Sequence, residues 1–440
     1  MNAEKYLIAG FEMKQHTNIF LARIGIPSTL SWGYLGILIF MMGNGIEIGW
    51  LSPYLIDNGL SIQDVSTLFS IYGISVAISS WFAGVFFEAF GAKRTMLLGT
   101  ILCIVGTVGF VSLGLREMSY PLLLIAQIIK GLGYPLFAYS FSVWIAYRSP
   151  VSKLSTAYGW FYFVFSGGMQ VLATFYASWA VEELGHINTL WTTLIFIIVG
   201  AFFALILNRD NINPKSNNNT IENIKEVLKG ITILKAHPKL FISCILRIIN
   251  SLSQYAFPVY LPVYMISQGF TTIQWLSIWG TAFTSNILFN LVWGIVGDKI
   301  GYKRTIIWCG GVLTGVASLL LFFAPQFVGA NYAIVLLCGI CWGAGVAGYI
   351  PLDAMSANMV EKDKGAVMSV LNLGTGLSVV IGPAIVGLFI GSLGASGVTC
   401  IVAALYFIGA LMTHFLDEPE RVSKNIIQSD AIARNQSSGS

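Results

Sequence analysis

Residues 84–94 read GVFFEAFGAKR, and residues 294–304 read GIVGDKIGYKR. Each has a glycine, an acid four residues later, a second glycine three after that, and then a Lys-Arg pair. The offsets 294 − 84 and 304 − 94 are both 210, so the chain repeats itself once at about half its length. The copies comprise Gly84, Glu88, Gly91, Lys93 and Arg94, and Gly294, Asp298, Gly301, Lys303 and Arg304. Both sit where one long apolar run ends and the next begins. A glycine inside each run suits close helix approach, and one in the turn suits a backbone that other residues resist. The acids are placed to face a positive helix N-terminus in the other half, and the basic pairs to anchor the loop at a membrane surface.

Composition explains the runs. Of 440 residues, 56% are apolar and only 10% charged, and mean hydropathy is +0.75. Such a chain belongs in a bilayer, and its net charge of +4 gives no footprint for nucleic acid. A window of roughly 19 residues places spans at 31–56, 64–88, 95–115, 119–147, 156–181, 189–208, 241–267, 272–297, 305–325, 331–357, 366–392 and 397–416. The fold class expected is an all-α polytopic membrane protein of twelve transmembrane helices, arranged as two pseudo-symmetric six-helix bundles. Its parts are a cytoplasmic segment 1–29, a first bundle 30–208, a linker 209–240, a second bundle 241–417 and a cytoplasmic tail 418–440. Within the linker, IENIKEVLKGITILK shows the apolar spacing of an amphipathic helix.

With the N-terminus inside, all of the 24 Lys and Arg residues except Arg116, Lys130 and Arg247 fall on the cytoplasmic side. That bias places both termini in the cytoplasm. The six cysteines lie in apolar segments, and Cys338–Cys341, though a CxxC, has no histidine beside it. No metal, cofactor or disulfide framework is expected. HExxH, GxSxG and phosphate-cradling loops are absent from the sequence, which argues against an enzyme.

The duplicated loop pattern resembles the signature of the major facilitator superfamily, which implies that the two copies act as a gate latch between halves. Here Ala89 stands where that family usually has a basic residue, whereas the second copy keeps Lys299. The stretches WGYLGILIFMMGNGIEIGWLSPYL, RIINSLSQYAFPVYLPVYM, QWLSIWGTAFTSNILFNLVWGIVGDKIGYKR and YIPLDAMSANMVEKDKGAVMSVLNLGTG are similar to the polyol permease family. That resemblance implies proton-coupled uptake of pentitols such as ribitol or arabinitol into a bacterium across its inner membrane. A related branch takes 2-oxoglutarate. Asp is common in that family where this chain has Asn44.

With the loop copies and the helix ends set aside, four charges remain inside spans: Glu47, Lys130, Arg247 and Asp353, in the first, fourth, seventh and tenth. An intramembrane charge is expensive and marks function by default. By depth, Glu47 and Lys130 lie about 5 Å to one side of their helix centres, Arg247 and Asp353 about 10–14 Å to the other. Pairings of Glu47 with Lys130 and of Arg247 with Asp353 follow, and simple helix-holding ion pairs remain open for both. Glu47, Lys130 and Asp353 are the proton-coupling candidates. The substrate candidates are Arg247, Asn250 and Gln254, on one face of the seventh span together with Ser251, then Asn44, Gln127, Tyr134, Asn286, Asn290 and Asn372. Amides both donate and accept, and so match a row of hydroxyls; interhelical glue is the competing role. The expected function is proton-coupled import of a small polyol by a monomer that needs only its solute, protons and lipid. A carboxylate importer, a drug-efflux antiporter and a membrane enzyme are the alternatives, in that order.

Overall fold

The computed structural model describes residues 25–149, 154–208, 210, 238–357, 359 and 364–417. The linker helix expected within 209–240 falls outside these residues apart from 210 and 238–240, as do residues 1–24 and 418–440 of the terminal segments, and the side chains of Glu88 and Asp298 are also outside the description.

Among the described residues the chain forms twelve helical rods. They are α1 (Ser31–Gly45, resuming as Leu51–Asp57), α2 (Ile62–Phe90), α3 (Ala92–Gly109, extended by Phe110–Leu115), α4 (Tyr120–Arg148), α5 (Leu154–Ser166 through Gly167–Leu172 to Ala173–Leu184) and α6 (His186–Ala201, extended by Phe202–Leu207). Next come α7 (Pro238–Ser267), α8 (Thr272–Ile300), α9 (Tyr302–Arg304 through Thr305–Val312 to Leu313–Val328) and α10 (Tyr332–Ala347, resuming as Pro351–Ala357). The last stretch, Lys364–Met412, is α11 and α12 joined at Gly394, whose φ of 66° turns the chain. The four extensions and joints at 110–115, 167–172, 202–207 and 305–312 are wound as π-helix.

The rods start and stop within a few residues of the expected spans. Among the described residues, eight segments are long and apolar enough to cross a membrane, and one of these, Val370–Phe415, holds both α11 and α12. α1 misses that measure because it is interrupted, and α5 and α8 because they are less apolar.

Contacts divide the chain into two compact units. The first is Met1–Ile46, Ile78–Ala173 and Ile187–Asn218; the second is Glu47–Ala77, Thr174–His186 and Asn219–Ser440. In the first unit, small residues bring α3 against α4. A Cβ on Gly106 would fall 2.7 Å from the Cβ of Lys130, so that glycine fixes how near α3 the lysine's backbone lies. In the second unit, a Cβ on Gly343 of α10 would fall 1.9 Å from the carbonyl oxygen of Ala282 on α8.

Candidate functional site

In the first unit α4 carries Gln127, Lys130 and Tyr134 at helical spacing, all buried, Lys130 at 2% exposure. An ammonium so enclosed must be met by acceptors or an anion. The Oε1 of Gln127 is buried and has no protein partner among the described residues. Asn44 on α1 is buried too. Its Nδ2 donates to its own helix at Phe40 O, 3.2 Å away, and its Oδ1 is approached from α3 by Cys103 Sγ at 4.0 Å.

In the second unit Glu47 is half-buried and lies in the 46–50 break between the two pieces of α1. This corrects the expectation of an acid inside a continuous span. The break has a physical cause. Pro53 has no N–H for Gly49 O, four residues back, and Gly49 takes φ 93°, a conformation glycine adopts at little cost. The freed Gly49 carbonyl accepts the indole N–H of Trp275 on α8 at 3.0 Å. Three residues on, Ser52 Oγ donates to Val259 O on α7.

Arg247 on α7 donates from Nη2 to Asp353 Oδ1 on the second piece of α10, and the pair is an ion pair, 14% and 35% exposed at the two side chains. Asn250 and Ser251 are buried and Gln254 half-buried on the same helix, and the Oδ1 of Asn250 is unpartnered among the described residues. The other amides divide. Asn286 Nδ2 donates to Gly343 O at 3.2 Å and so ties α8 to α10. Asn290 is half-buried, while Asn372 is exposed.

Sequence reasoning missed a polar chain behind the α7 face. Trp342 Nε1 donates to Ser253 Oγ at 3.2 Å, Ser253 Oγ meets Tyr406 OH at 2.6 Å, and Tyr406 OH donates to Asn250 O at 3.0 Å. Trp342 stacks on Trp279 at 5.1 Å, and the buried Nε1 of Trp279 has no partner among the described residues. Trp275, Trp279 and Phe283 recur every fourth residue, and that spacing was the available signal.

The loop copies start α3 and α9 from Gly91 and Gly301, at φ 83° and 103°. Gly84 and Gly294 do not mediate the close approach expected of them: among the described residues a Cβ on either would meet nothing within 4 Å. Lys93 Nζ donates to Asn208 O at 2.7 Å and Lys303 Nζ to His414 O at 2.9 Å, while Arg94 and Arg304 are exposed. At the end of α4, Arg148 grips Asp210 with Nε and Nη2, and Trp144 Nε1 donates to the same carboxylate at 3.2 Å. Those hydrogen bonds push the Arg148 pKa up against the effect of burial.

Residues 33–284 and 270–436 match the Major Facilitator Superfamily. The chain is 46% identical over 401 residues to an alpha-ketoglutarate permease of Bacillus subtilis, covering 91% of this chain and 92% of that one. It is 35% identical over 396 residues to a D-arabinitol transporter of Klebsiella pneumoniae, covering 89% and 93%. Among solved structures, a D-xylose-proton symporter superposes with a TM-score of 0.70 at 15% identity, covering 88% of this chain and 96% of that one, a likeness of fold alone.

Proposed function

The chain belongs to the Major Facilitator Superfamily, and on that premise we propose that it imports a small polyol, a pentitol such as arabinitol or ribitol, together with protons by alternating access. It is a multi-pass membrane transport protein and not an enzyme. The observation that carries the substrate reading is the Arg247–Asp353 ion pair. A dicarboxylate is held by two converging cations, and here one of the two intramembrane cations already has its anion. The amide and hydroxyl face beside it, Asn250, Ser251 and Gln254, suits a neutral solute rich in hydroxyls. An acceptor such as the unpartnered Asn250 Oδ1 fits an O–H donor, which an ionised dicarboxylate lacks. Asn44, Gln127 and Tyr134 are further solute contacts in this reading, and Asn290 and Asn372 complete it with Arg247. Asn286 takes part with whatever donor capacity its bond to Gly343 leaves.

Glu47, Lys130 and Asp353 are assigned to proton coupling. Glu47 leads because its backbone lies in a break rather than in a helix, so its surroundings change most easily as the protein cycles. The halves are assigned as 30–208 and 241–417, with both termini cytoplasmic on the Lys and Arg distribution, in the bacterial inner membrane and as a monomer. The latch role of Glu88 and Asp298 belongs to the same proposal.

A second reading, import of alpha-ketoglutarate, is favoured by the 46% identity to a permease of that description. It requires Arg247 to leave Asp353 for the solute. Proteoliposomes with an imposed pH gradient separate the two. Labelled D-arabinitol or ribitol is expected to accumulate, and unlabelled 2-oxoglutarate to leave that uptake unchanged. Accumulation of 2-oxoglutarate with none of either pentitol overturns the polyol reading.

A further inference from the structure

Each half closes on itself in the same way. In the first unit Lys93, two residues past Gly91, is half-buried and reaches the carbonyl of Asn208, the residue that ends α6. In the second unit Lys303, 210 residues on (303 − 93), is again half-buried and reaches the carbonyl of His414 in the closing turn of α12. A second fastener lies beside each. Arg148 at the end of α4 holds Asp210, and Lys239 at the start of α7 is ion-paired with Asp417. The two acids are 207 residues apart (417 − 210), close to the repeat offset. Each of the four contacts stays within one unit, two in the first and two in the second.

The chemistry is that of a helix C-terminus. The last carbonyls of a helix have no intrahelical donor and carry the negative end of its dipole, so an ammonium set there is stabilised. Of each Lys-Arg pair the lysine does this and the arginine remains in the open. A pair placed only to touch a membrane surface would have no reason to divide its roles alike in both copies.

We propose that Lys93 and Lys303 are positioning residues: each holds the loop motif of its half on the last helix of the same half throughout the transport cycle, so that the loop acids at 88 and 298 are presented from a fixed mount. This rests on the chain being a transporter and on neither reading of its solute. The motif lysines therefore do not exchange partners between halves as the gate opens and closes.

The test uses a variant with the six native cysteines replaced, carrying Lys93→Cys with Asn208→Cys or, separately, Lys303→Cys with His414→Cys. Each pair is joined by a bis-methanethiosulfonate about as long as a lysine side chain. Uptake of D-arabinitol is followed, or of 2-oxoglutarate if that is what the unmodified protein takes up. The unbridged pairs should be slower by about 2- to 5-fold in maximal rate, the scale of a charge contact at a helix terminus, with KM unchanged. Bridging should return the rate to within about 2-fold of the cysteine-free parent. In parallel, Lys93→Met should show the same loss of maximal rate and Lys93→Arg should restore most of it, each checked for a monodisperse, correctly melting preparation. Arrest of transport by the bridge would falsify the fixed mount. A wild-type rate in Lys93→Met and Lys303→Met, or an effect on KM alone, also overturns it.

Discussion

α1 and α7 hold corresponding places, 210 residues apart, yet one is broken and the other whole. α1 stops at Gly45 and resumes at Leu51, whereas α7 runs unbroken from Pro238 to Ser267 with Pro258 and Pro262 inside it. Proline alone is therefore not what parts the two. In α1 a glycine at φ 93° accompanies the proline, and an indole from α8 takes the carbonyl that the proline leaves without a donor. In α7 the positions around both prolines keep helical geometry. The consequence is chemical. The acid of α1 sits in the break, free of helical register, while the base of α7 sits on a regular helix and is clamped to Asp353. One helix carries its charge on a joint, the other on a beam.

If that contrast governs coupling, the largest effect belongs to Glu47. One proton moving with a neutral solute is driven by about 2.3 kcal/mol per 100 mV, or roughly 50-fold accumulation. Glu47→Gln should bring accumulation down to about unity while solute-for-solute exchange continues. Lumenal acidification that persists on adding solute to Glu47→Gln vesicles would move the carrier to Asp353 and reverse the comparison.

Next in size is the clamp. Arg247→Met or Asp353→Leu alone leaves one charge without its partner. Fully buried pairs cost 3–5 kcal/mol when broken; with these side chains partly exposed the loss should be about 1–3 kcal/mol. The double variant should melt closer to wild type than either single one. Additive losses would show that the pair is not a clamp.

The break itself is tested by Gly49→Ala. The left-handed backbone and the approach to Leu276, 3.0 Å from a Cβ placed there, should cost about 1–2 kcal/mol of stability. Pro258→Ala in the unbroken α7 should cost less than about 0.5 kcal/mol, because it supplies an N–H the helix can use. Equal losses at the two sites would erase the distinction between joint and beam.

The smallest effect sharpens the assignment of the amides. Asn286→Ala should lower stability by about 0.6 kcal/mol, the scale of a bond between membrane helices, and weaken solute binding by less than that. Asn250→Ala should do the reverse, weakening binding by about 1 kcal/mol. Isothermal titration together with thermal melts reads both.

The rods were legible because apolar runs of bilayer length, punctuated by charged turns, are set by solvation rather than by particular contacts. The pairing of Arg247 with Asp353 was legible because depth along a helix follows from residue count. The break in α1 was not. Gly45, Gly49 and Pro53 are visible in the sequence, but α7 shows that comparable punctuation can stay helical, and what decides is a partner from α8 that sequence spacing does not reveal. The same holds for Asn286, whose bond to Gly343 depends on how near α10 the glycines let α8 come. Gly84 and Gly294 were misjudged in the opposite direction, since a small residue licenses close packing without requiring it.

The joint between α11 and α12 has a consequence for how the protein is made. A single glycine at φ 66° turns the chain there, and the sequence around it, FIGSLGASG from 389 to 397, contains no charge. With the Lys and Arg residues setting orientation as proposed, this tip is carried across the bilayer during synthesis, and almost nothing polar goes with it. The pair can therefore enter the membrane as one preformed hairpin, whereas the α1–α2 turn must bring Asp57, Asn58 and Asp64 through. An epitope or glycosylation acceptor inserted at Gly394 would add the polar load that this hairpin lacks, and biogenesis rather than transport is where it would be felt.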